Sequence, residues 1–147
     1  MGQAIRERAD KVEVHSLTRK VLVVDEDVQD LSNHAILLEA EGFEAIKCGS
    51  YEAAIRSIEK EDFDLALVDQ GSPAFECRVV LRYLKRFNRR STPFVVLARF
   101  ADMKCYLQAL ELGAVDYLLK PISAEQMNWV CQTCLGTSRT TNPGHDS

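Results

Sequence analysis

The sequence lacks both a long apolar run and an excess of positive charge. A membrane-spanning helix needs about 20 consecutive apolar residues, and no run in the chain approaches that length. The formal net charge of −4 gives no electrostatic reason for the chain to bind nucleic acid or an anionic membrane surface. The first residues, MGQAIRERADKVEV, contain no apolar core of the kind that a secretory signal requires. We therefore expect a cytoplasmic protein that by itself contacts neither membrane nor nucleic acid.

Metal-binding patterns of histidine and cysteine are also scarce. The three histidines have no metal-ligand spacing, and five cysteines without a secretory signal indicate a reducing compartment. The motif from Cys131 to Cys134 is a C-x-x-C, but the chain has no second cysteine pair at zinc spacing. Together with Met127 and Val130, these cysteines instead fall on one apolar helix face at i, i+3, i+4 and i+7. We interpret the motif as part of a core-facing helix rather than as a redox or metal site.

What the sequence contains is a repeated alternation of short apolar runs and amphipathic stretches. The apolar runs predict five strands, at Val21–Val24, Phe43–Cys48, Leu65–Val68, Phe94–Ala98 and Ala114–Leu119. Apolar residues at helical spacing follow each run and predict five helices, with Ser50 capping the second and a Ser123–Gln126 capping box opening the fifth. Five strand–helix units with short connections predict the α/β class, as a doubly wound five-stranded parallel sheet with helices on both faces.

The predicted domain covers residues 20–135. The first 19 residues are polar and mixed in charge, so we expect a flexible N-terminal arm at 1–19. Residues 136–147, GTSRTTNPGHDS, are small and polar, so we expect a disordered tail that is too short to be an output domain.

Acidic residues and one lysine stand at the predicted carboxyl ends of the strands. These strand-end residues are Asp25 and Glu26 after strand 1, Asp69 after strand 3, Ala98 after strand 4 and Lys120 after strand 5. In the strand order 2-1-3-4-5, strands 1 and 3 are neighbours, and the ligand sites of doubly wound sheets lie at this edge. The three carboxylates and the ammonium group are therefore expected to converge on one cleft.

Such a cleft suits a hard cation and phosphoryl transfer. Clustered carboxylates repel one another, and Mg²⁺ is a natural partner for a few carboxylates with open water positions. The metal would draw a phosphoryl oxygen toward Asp69, and Lys120 would hold a second oxygen through a charge-assisted bond. A single acidic strand end would mean little, because Asp and Glu commonly cap helices and Asp27 is itself a candidate cap.

Three segments resemble the signature segments of the receiver domains of bacterial response regulators, of the chemotaxis-regulator type. They are VLVVDED, LALVDQGSP and GAVDYLLKP, and the resemblance extends over about residues 20–135. It implies a flavodoxin-like (βα)5 sandwich with strand order 2-1-3-4-5. It also implies that Lys120 and Pro121 are the Lys-Pro pair whose peptide bond is usually cis, and that Pro73 is the loop proline after the acceptor.

The resemblance assigns roles to the strand-end residues. Asp69 would be the phosphoacceptor and Lys120 a contact for the phosphoryl group. Tyr117 would be the aromatic side chain that rotates when the domain switches. The implied Mg²⁺ ligands are Asp25, Glu26, Asp69 and the backbone carbonyl of Gly71.

The implied function is that of a single-domain response regulator. It would accept a phosphoryl group on Asp69 from the phosphohistidine of a sensor histidine kinase or phosphotransfer protein, with Mg²⁺ as cofactor. It would then signal to a downstream protein through the face of helix 4, strand 5 and helix 5, or by self-association as a homodimer. We expect a signalling domain of the bacterial cytoplasm that catalyses only its own phosphorylation and dephosphorylation, not an enzyme.

Two residues depart from the family pattern at the end of strand 4. Ala98 stands where the family usually has Ser or Thr, whose hydroxyl bonds the phosphoryl group and moves with it. Arg99 stands where the family usually has a small residue, and it either crowds the site or serves as a second cation for the phosphate. These departures favour an alternative, a receiver-like module that binds a partner without being phosphorylated. The complete acidic set and Lys120 favour the phosphoacceptor.

Other functional interpretations have less support. Asp25-Glu-Asp27 resembles the D-x-D motif of haloacid-dehalogenase-type phosphatases, with Asp25 as nucleophile, but that family expects Thr or Val where Gln29 stands. Flavin binding is disfavoured because the acidic first loop would repel a phosphate. The basic residues of the third helix are interpreted as a solvated face: Arg78, Arg82, Lys85, Arg86, Arg89 and Arg90.

Overall fold

The structure, a computed structural model, describes residues 18–87 and 91–136. The predicted flexible arm at 1–19 and the predicted disordered tail at 136–147 lie outside these ranges, except for Thr18, Arg19 and Gly136. Arg89 and Arg90 of the predicted basic face also lie outside them. These expectations stay predictions.

Strands and helices alternate along the described chain, five of each. The strands are β1 Lys20–Val24, β2 Glu44–Cys48, β3 Leu65–Asp69, β4 Phe94–Ala98 and β5 Asp116–Leu119. The helices are α1 Val28–Ala40, α2 Tyr51–Lys60, α3 Arg78–Phe87, α4 Met103–Glu111 and α5 Ala124–Leu135. Relative to the predicted bounds, β2 begins one residue later and β5 begins two residues later. Val115, just before β5, donates its N–H to the Phe94 carbonyl at 2.8 Å.

The strands form one parallel sheet in the order β2-β1-β3-β4-β5, which confirms the predicted fold class and strand order. Val24 of β1 lies beside both Cys48 of β2 and Val68 of β3, and Asp69 of β3 lies beside Leu97 of β4. The carboxyl ends of β1, β3 and β4 therefore meet at one edge of the sheet.

Alternating side chains of the central strands enter two separate apolar cores. Leu22 and Val24 of β1 belong to the core that α2, α3 and α4 cover, whereas Val21 and Val23 belong to the core that α1 and α5 cover. All four side chains are at most 1% exposed. Burial on both faces is the reason why these strands are continuous apolar runs in the sequence.

The helix caps stand at the same edge of the sheet as the strand ends, because each helix follows a strand. Asp27, Ser50, Asp102 and Ser123 each accept a hydrogen bond from a backbone N–H three residues later. The predicted Ser50 cap and the predicted capping box of Ser123 and Gln126 are confirmed. Asp27 caps α1 as suggested.

The apolar residues of α5 lie on the side that faces the core. The apolar face predicted for α5 is confirmed, since Met127, Val130 and Cys131 are buried and Cys134 is half-buried. Burial raises the pKa of the Cys134 thiol to about 11, the opposite of what an activated redox cysteine needs.

The apolar residues that predicted α4 lie mostly on its exposed side. Met103 is 70% exposed and Leu107 is 54% exposed, whereas the small residues Cys105 and Ala109 face the core. In the ranges 18–87 and 91–136, no helix has the combined length and apolarity needed to cross a bilayer.

Candidate functional site

A cleft of about 390 Å³ opens at the carboxyl edge of the sheet, above the ends of β1 and β3. It contains all four charged residues that the sequence predicted to converge, Asp25, Glu26, Asp69 and Lys120. Its charged lining consists of five carboxylates and two cations: Asp25, Glu26, Asp27, Asp69, Glu76, Arg99 and Lys120.

Lys120 is the central cation of the cleft. Its Nζ lies 2.6 Å from Asp25 Oδ2, 2.6 Å from Asp69 Oδ1 and 3.0 Å from Asp30 Oδ2. An ammonium group has three N–H donors, so each of them can serve one carboxylate. Burial alone would lower the pKa of Lys120, but the hydrogen bonds to Asp25 and Asp69 raise it above its ordinary value. Lys120 therefore remains charged in the cleft.

The two carboxylates on either side of Lys120 have different surroundings. The Asp25 side chain is 2% exposed, and burial raises its pKa although hydrogen bonds from Lys120 and the Asp27 amide oppose that change. The Asp69 side chain is 16% exposed, and its Oδ2 accepts a hydrogen bond from the Gly71 N–H at 3.0 Å. Among these two, Asp69 is the carboxylate that a molecule in the cleft can reach.

Asp30 is a member of this cluster that the sequence did not reveal. Its Oδ2 accepts hydrogen bonds from both Lys120 and Arg99, the latter at 2.8 Å. Burial would raise the pKa of Asp30, but the hydrogen bond from Lys120 and the charges of both cations lower it. Asp30 follows the cap Asp27 by three residues in α1, a position where an acidic residue usually only complements the helix dipole. Nothing in that local pattern indicates the contacts with Arg99 and Lys120.

Arg99 lies at the rim of the cleft and is held by the first turn of α1. Its Nη2 is 2.8 Å from Asp30 Oδ2 and 3.4 Å from Asp27 Oδ2, and its side chain is 54% exposed. The guanidinium group is therefore paired with two α1 carboxylates at the rim of the cleft.

Comparison with known proteins identifies the family to which this arrangement belongs. The family model described as the response regulator receiver domain matches residues 21–131, within the predicted domain bounds. The chain belongs to the response regulator receiver family. Receiver domains are signalling domains of two-component systems rather than enzymes, and they generally bind Mg²⁺ at the phosphorylation site.

The similarities to individual proteins agree with the family. The chain is 27% identical over 121 residues to the transcriptional regulatory protein ZraR of Salmonella typhimurium, covering 82% of this chain and 27% of that protein. It is 28% identical over 112 residues to the phosphate regulon transcriptional regulatory protein PhoB of Escherichia coli, covering 76% of this chain and 49% of that protein. A response regulator from Thermotoga maritima matches the fold with a TM-score of 0.67 and 28% identity, covering 81% of this chain and 98% of that one.

This receiver domain spans only part of the curated proteins that it matches, about a quarter of ZraR and about half of PhoB. The match to receiver domains favours the signalling interpretation of the acidic set over a phosphatase with Asp25 as nucleophile. The peptide bond between Lys120 and Pro121 is cis, as the resemblance implied.

The loop after Asp69 is fixed by contacts that the sequence did not reveal. The Glu76 carboxylate accepts hydrogen bonds from the Ser72 N–H at 2.7 Å and from the Ser72 hydroxyl at 2.9 Å. The Tyr51 hydroxyl donates to the backbone carbonyl of Asp69 at 2.8 Å. Gly71 has φ of 87°, and a Cβ there would lie 2.4 Å from Glu76 Oε1. A glycine thus lets the loop of this receiver domain pass close to the Glu76 carboxylate and the Tyr51 hydroxyl.

No side-chain hydrogen bond joins the two predicted switch residues, because Ala98 has neither donor nor acceptor in its side chain. Ala98 is buried at the end of β4, and its carbonyl accepts a hydrogen bond from the Lys120 N–H at 2.8 Å. The hydroxyl of Tyr117 on β5 instead donates to the side-chain oxygen of Gln70 and accepts from the Asp102 N–H at 3.3 Å. Sequence analysis missed Gln70, although a polar residue directly after a buried strand and beside the predicted acceptor Asp69 is an available signal.

The predicted magnesium ligands form a donor set of the appropriate chemistry. Asp25, Glu26, Asp69 and Gly71 all line the cleft, and they offer only hard oxygen donors. Among the described residues, no three His, Cys, Asp or Glu side chains form a ready-made metal set. Mg²⁺ does not require one, because it is usually held by one or two carboxylates and several waters. The residues of this receiver cleft therefore fit Mg²⁺.

Proposed function

We propose that this receiver domain accepts a phosphoryl group on Asp69 from a phosphohistidine donor and signals the change to a partner protein. The donor would be a sensor histidine kinase or a phosphotransfer protein, in the bacterial cytoplasm. The observation that carries the proposal is the pair formed by Lys120 and Asp69, 2.6 Å apart in an open cleft. The buried Asp25, by contrast, is too enclosed to act as the nucleophile.

The chemistry follows from the surroundings of Asp69. One carboxylate oxygen of Asp69 attacks phosphorus, the phosphorus–nitrogen bond of the donor breaks, and the imidazole nitrogen keeps the electron pair and takes a proton from water. Lys120 then neutralises part of the charge that accumulates on the phosphoryl oxygens. Mg²⁺, when bound through Asp25, Glu26, Asp69 and the Gly71 carbonyl, would screen the remaining charge.

A phosphorylated domain also needs a surface through which it contacts its partner protein. Met103, Tyr106, Tyr117 and Leu119 line an apolar cavity of about 270 Å³ between α4 and β5. This is the face that the sequence predicts for the downstream protein. The exposure of Met103 and Leu119 supports that assignment, because an apolar surface rimmed by polar residues is typical of a protein contact.

One observation favours the second candidate function, a module that binds its partner without phosphorylation. All three donors of Lys120 are directed to carboxylates, and Ala98 has no hydroxyl to offer in their place. A phosphoryl group would have to displace at least one of these carboxylates from Lys120.

The first prediction separates the two functions by the mass of the protein. Incubation with acetyl phosphate and Mg²⁺ should add one phosphoryl group to the wild-type chain, because Asp69 is the accessible carboxylate beside Lys120. Asp69→Asn should abolish the addition, as measured by intact-protein mass spectrometry. The control variant Asp62→Asn, which changes an exposed carboxylate outside the cleft, should be labelled like the wild type.

Labelling that survives Asp69→Asn would contradict this assignment. If it then disappeared in Asp25→Asn, the phosphatase-like interpretation would replace it. If the wild-type chain took up no phosphoryl group from acetyl phosphate or from a phosphohistidine protein, the unphosphorylated binding module would be the better description.

A further inference from the structure

Gln70, the residue after the acceptor, has an unusual position for an amide side chain. It is 4% exposed, and its backbone N–H donates to the Leu97 carbonyl at 2.7 Å, so it continues β3 beside β4. Both ends of its side-chain amide are engaged: Nε2 donates to the Ser72 carbonyl at 3.4 Å, and Oε1 accepts from the Tyr117 hydroxyl. A buried amide with both ends bonded holds its neighbours in a defined arrangement.

The Tyr117 hydroxyl connects this amide to the beginning of α4. It has one proton, which it donates to Gln70, and it accepts the Asp102 N–H at 3.3 Å. Asp102 is the N-cap of α4, and its carboxylate accepts from the Cys105 N–H at 2.9 Å. A movement of the tyrosine hydroxyl therefore acts directly on the residue that caps α4.

On the other side, Gln70 is connected to the acceptor through the loop. Asp69 Oδ2 accepts the Gly71 N–H at 3.0 Å, and the carbonyl of the following residue, Ser72, is the one bonded to Gln70. Conversion of the Asp69 carboxylate into an acyl phosphate changes the acceptor that the Gly71 N–H faces. The loop also reaches α4 directly, since the Cys105 thiol donates to the Pro73 carbonyl at 3.4 Å.

The end of β4 has no comparable side-chain connection. Ala98 carries only a methyl group, which is buried. We infer that Gln70 is a positioning residue that passes the change at Asp69 through the Tyr117 hydroxyl to the N-cap of α4, in place of a β4 hydroxyl. This inference rests on the proposed function, because it describes how phosphorylation of Asp69 reaches the partner surface.

The test measures hydrogen exchange at the start of α4 together with phosphorylation. Gln70→Leu keeps a similar side-chain size and removes both the donor and the acceptor of the side-chain amide. Tyr117→Phe removes only the hydroxyl. The matched control is Tyr83→Phe, which removes the hydroxyl of a half-buried α3 tyrosine that lines neither the cleft nor the cavity between α4 and β5. Each protein is measured with and without acetyl phosphate and Mg²⁺, and phosphoryl uptake is read from the intact mass.

In the wild type and in Tyr83→Phe, phosphorylation should change the exchange rates of the amides of residues 102–105 by about two- to tenfold, the range expected for one hydrogen bond. In Gln70→Leu and Tyr117→Phe, the phosphoryl group should still be taken up, but the response of these amides should disappear. A merely structural role would alter exchange in both states equally and leave the response in place.

Two results would overturn the inference without touching the proposed function: phosphorylated Gln70→Leu whose α4 amides respond as in the wild type, or a phosphorylated wild type whose α4 amides do not respond. If the wild type takes up no phosphoryl group, the proposed function fails. The positioning role of Gln70 is then tested with Asp69→Asn. This substitution should shift the exchange of the 102–105 amides when Gln70 is present, and it should not shift their exchange in a protein that also carries Gln70→Leu. The absence of that difference between the two backgrounds would overturn the inferred role of Gln70. If Gln70→Leu fails to fold, Tyr117→Phe takes its place in this comparison.

Discussion

Asp30 is the residue that bonds to both cations of the cleft. Lys120 and Arg99 share a single carboxylate oxygen of Asp30, at 3.0 Å and 2.8 Å. An anion that enters the cleft competes with that oxygen for the same two cations. Because Arg99 is more than half exposed whereas Lys120 is almost fully buried, Arg99 can leave its carboxylates at a lower cost.

Arg99 is therefore expected to contribute modestly to phosphorylation of Asp69. Arg99→Gln should lower the initial rate with acetyl phosphate by about fivefold, since an exposed cation contributes about 1 kcal/mol. The difference should shrink as salt is added, because salt screens exposed charges. Initial rates measured by mass spectrometry test this, with Arg82→Gln on the exposed side of α3 as the matched control. An Arg99→Gln rate equal to the wild-type rate would leave Arg99 with no role as a phosphoryl contact.

His34 of α1 makes the stability of the domain depend on pH. It is buried, and within the described ranges its Nδ1 is the buried side-chain atom that lacks a hydrogen-bond partner. Burial and the charge of Lys120 lower its pKa below the ordinary value of 6.5, while the charges of Asp30 and Asp69 oppose that shift. The unfolded chain therefore binds a proton at His34 more readily than the folded chain does.

The free energy of unfolding should consequently fall as the pH falls through 6.5 toward the lower folded-state pKa of His34. The slope from this single group can reach about 1.4 kcal/mol per pH unit. His34→Leu removes the titrating group, so urea unfolding followed from about pH 7.5 to about pH 5.5 should show a flatter profile for the variant. Parallel profiles for the two proteins would mean that the pH dependence arises elsewhere, for example at the cleft carboxylates.

At the scale of helices and strands, local signals were predictable and distant contacts were not. The Ser50 and Ser123 caps each bond a residue only three positions later, so both partners of each bond lie in one short stretch of the sequence. The Asp30–Arg99 pair spans 69 residues, and the Tyr117–Gln70 pair spans 47. Neither partner in these pairs has a local pattern that distinguishes it from an ordinary polar residue, so their roles emerged only from the folded arrangement.

The α4 helix shows a second limit of sequence patterns. The spacing of Met103, Leu107 and Leu110 predicts a helix but does not tell which side faces the core. In the fold, Cys105 and Ala109 pack inward, and the larger residues remain exposed. The central strands gave no such ambiguity, since they are buried on both faces. Periodicity alone did not give the strand order or the convergence at the cleft, which came from the doubly wound topology and from the family resemblance.

At the scale of the whole molecule, folding concentrates negative charge at one edge of the sheet. Five carboxylates line the cleft and Asp30 adds a sixth, against the two cations Arg99 and Lys120. Four of them lie close together in the sequence at the end of β1 and the start of α1, and folding brings the carboxylates from the end of β3 and the loop before α3 to the same place. Their mutual repulsion opposes folding, and any cation that binds the assembled set must favour the folded state.

Mg²⁺ should therefore stabilise the domain against unfolding, even without a phosphodonor. At a concentration ten times its dissociation constant, it should raise the free energy of unfolding by about 1.4 kcal/mol. Glu26→Ala should lose most of this gain, because Glu26 is an exposed cleft carboxylate that is in no ion pair of the described residues, whereas the other such carboxylate, Glu76, is hydrogen-bonded to Ser72. The measurement is urea unfolding with and without MgCl₂ at constant ionic strength, with Glu59→Ala on the exposed side of α2 as the control. If Glu26→Ala gained as much stability from Mg²⁺ as the control, the metal would bind elsewhere. If neither protein gained any, the cleft carboxylates would be neutralised sufficiently by Lys120 and Arg99 alone.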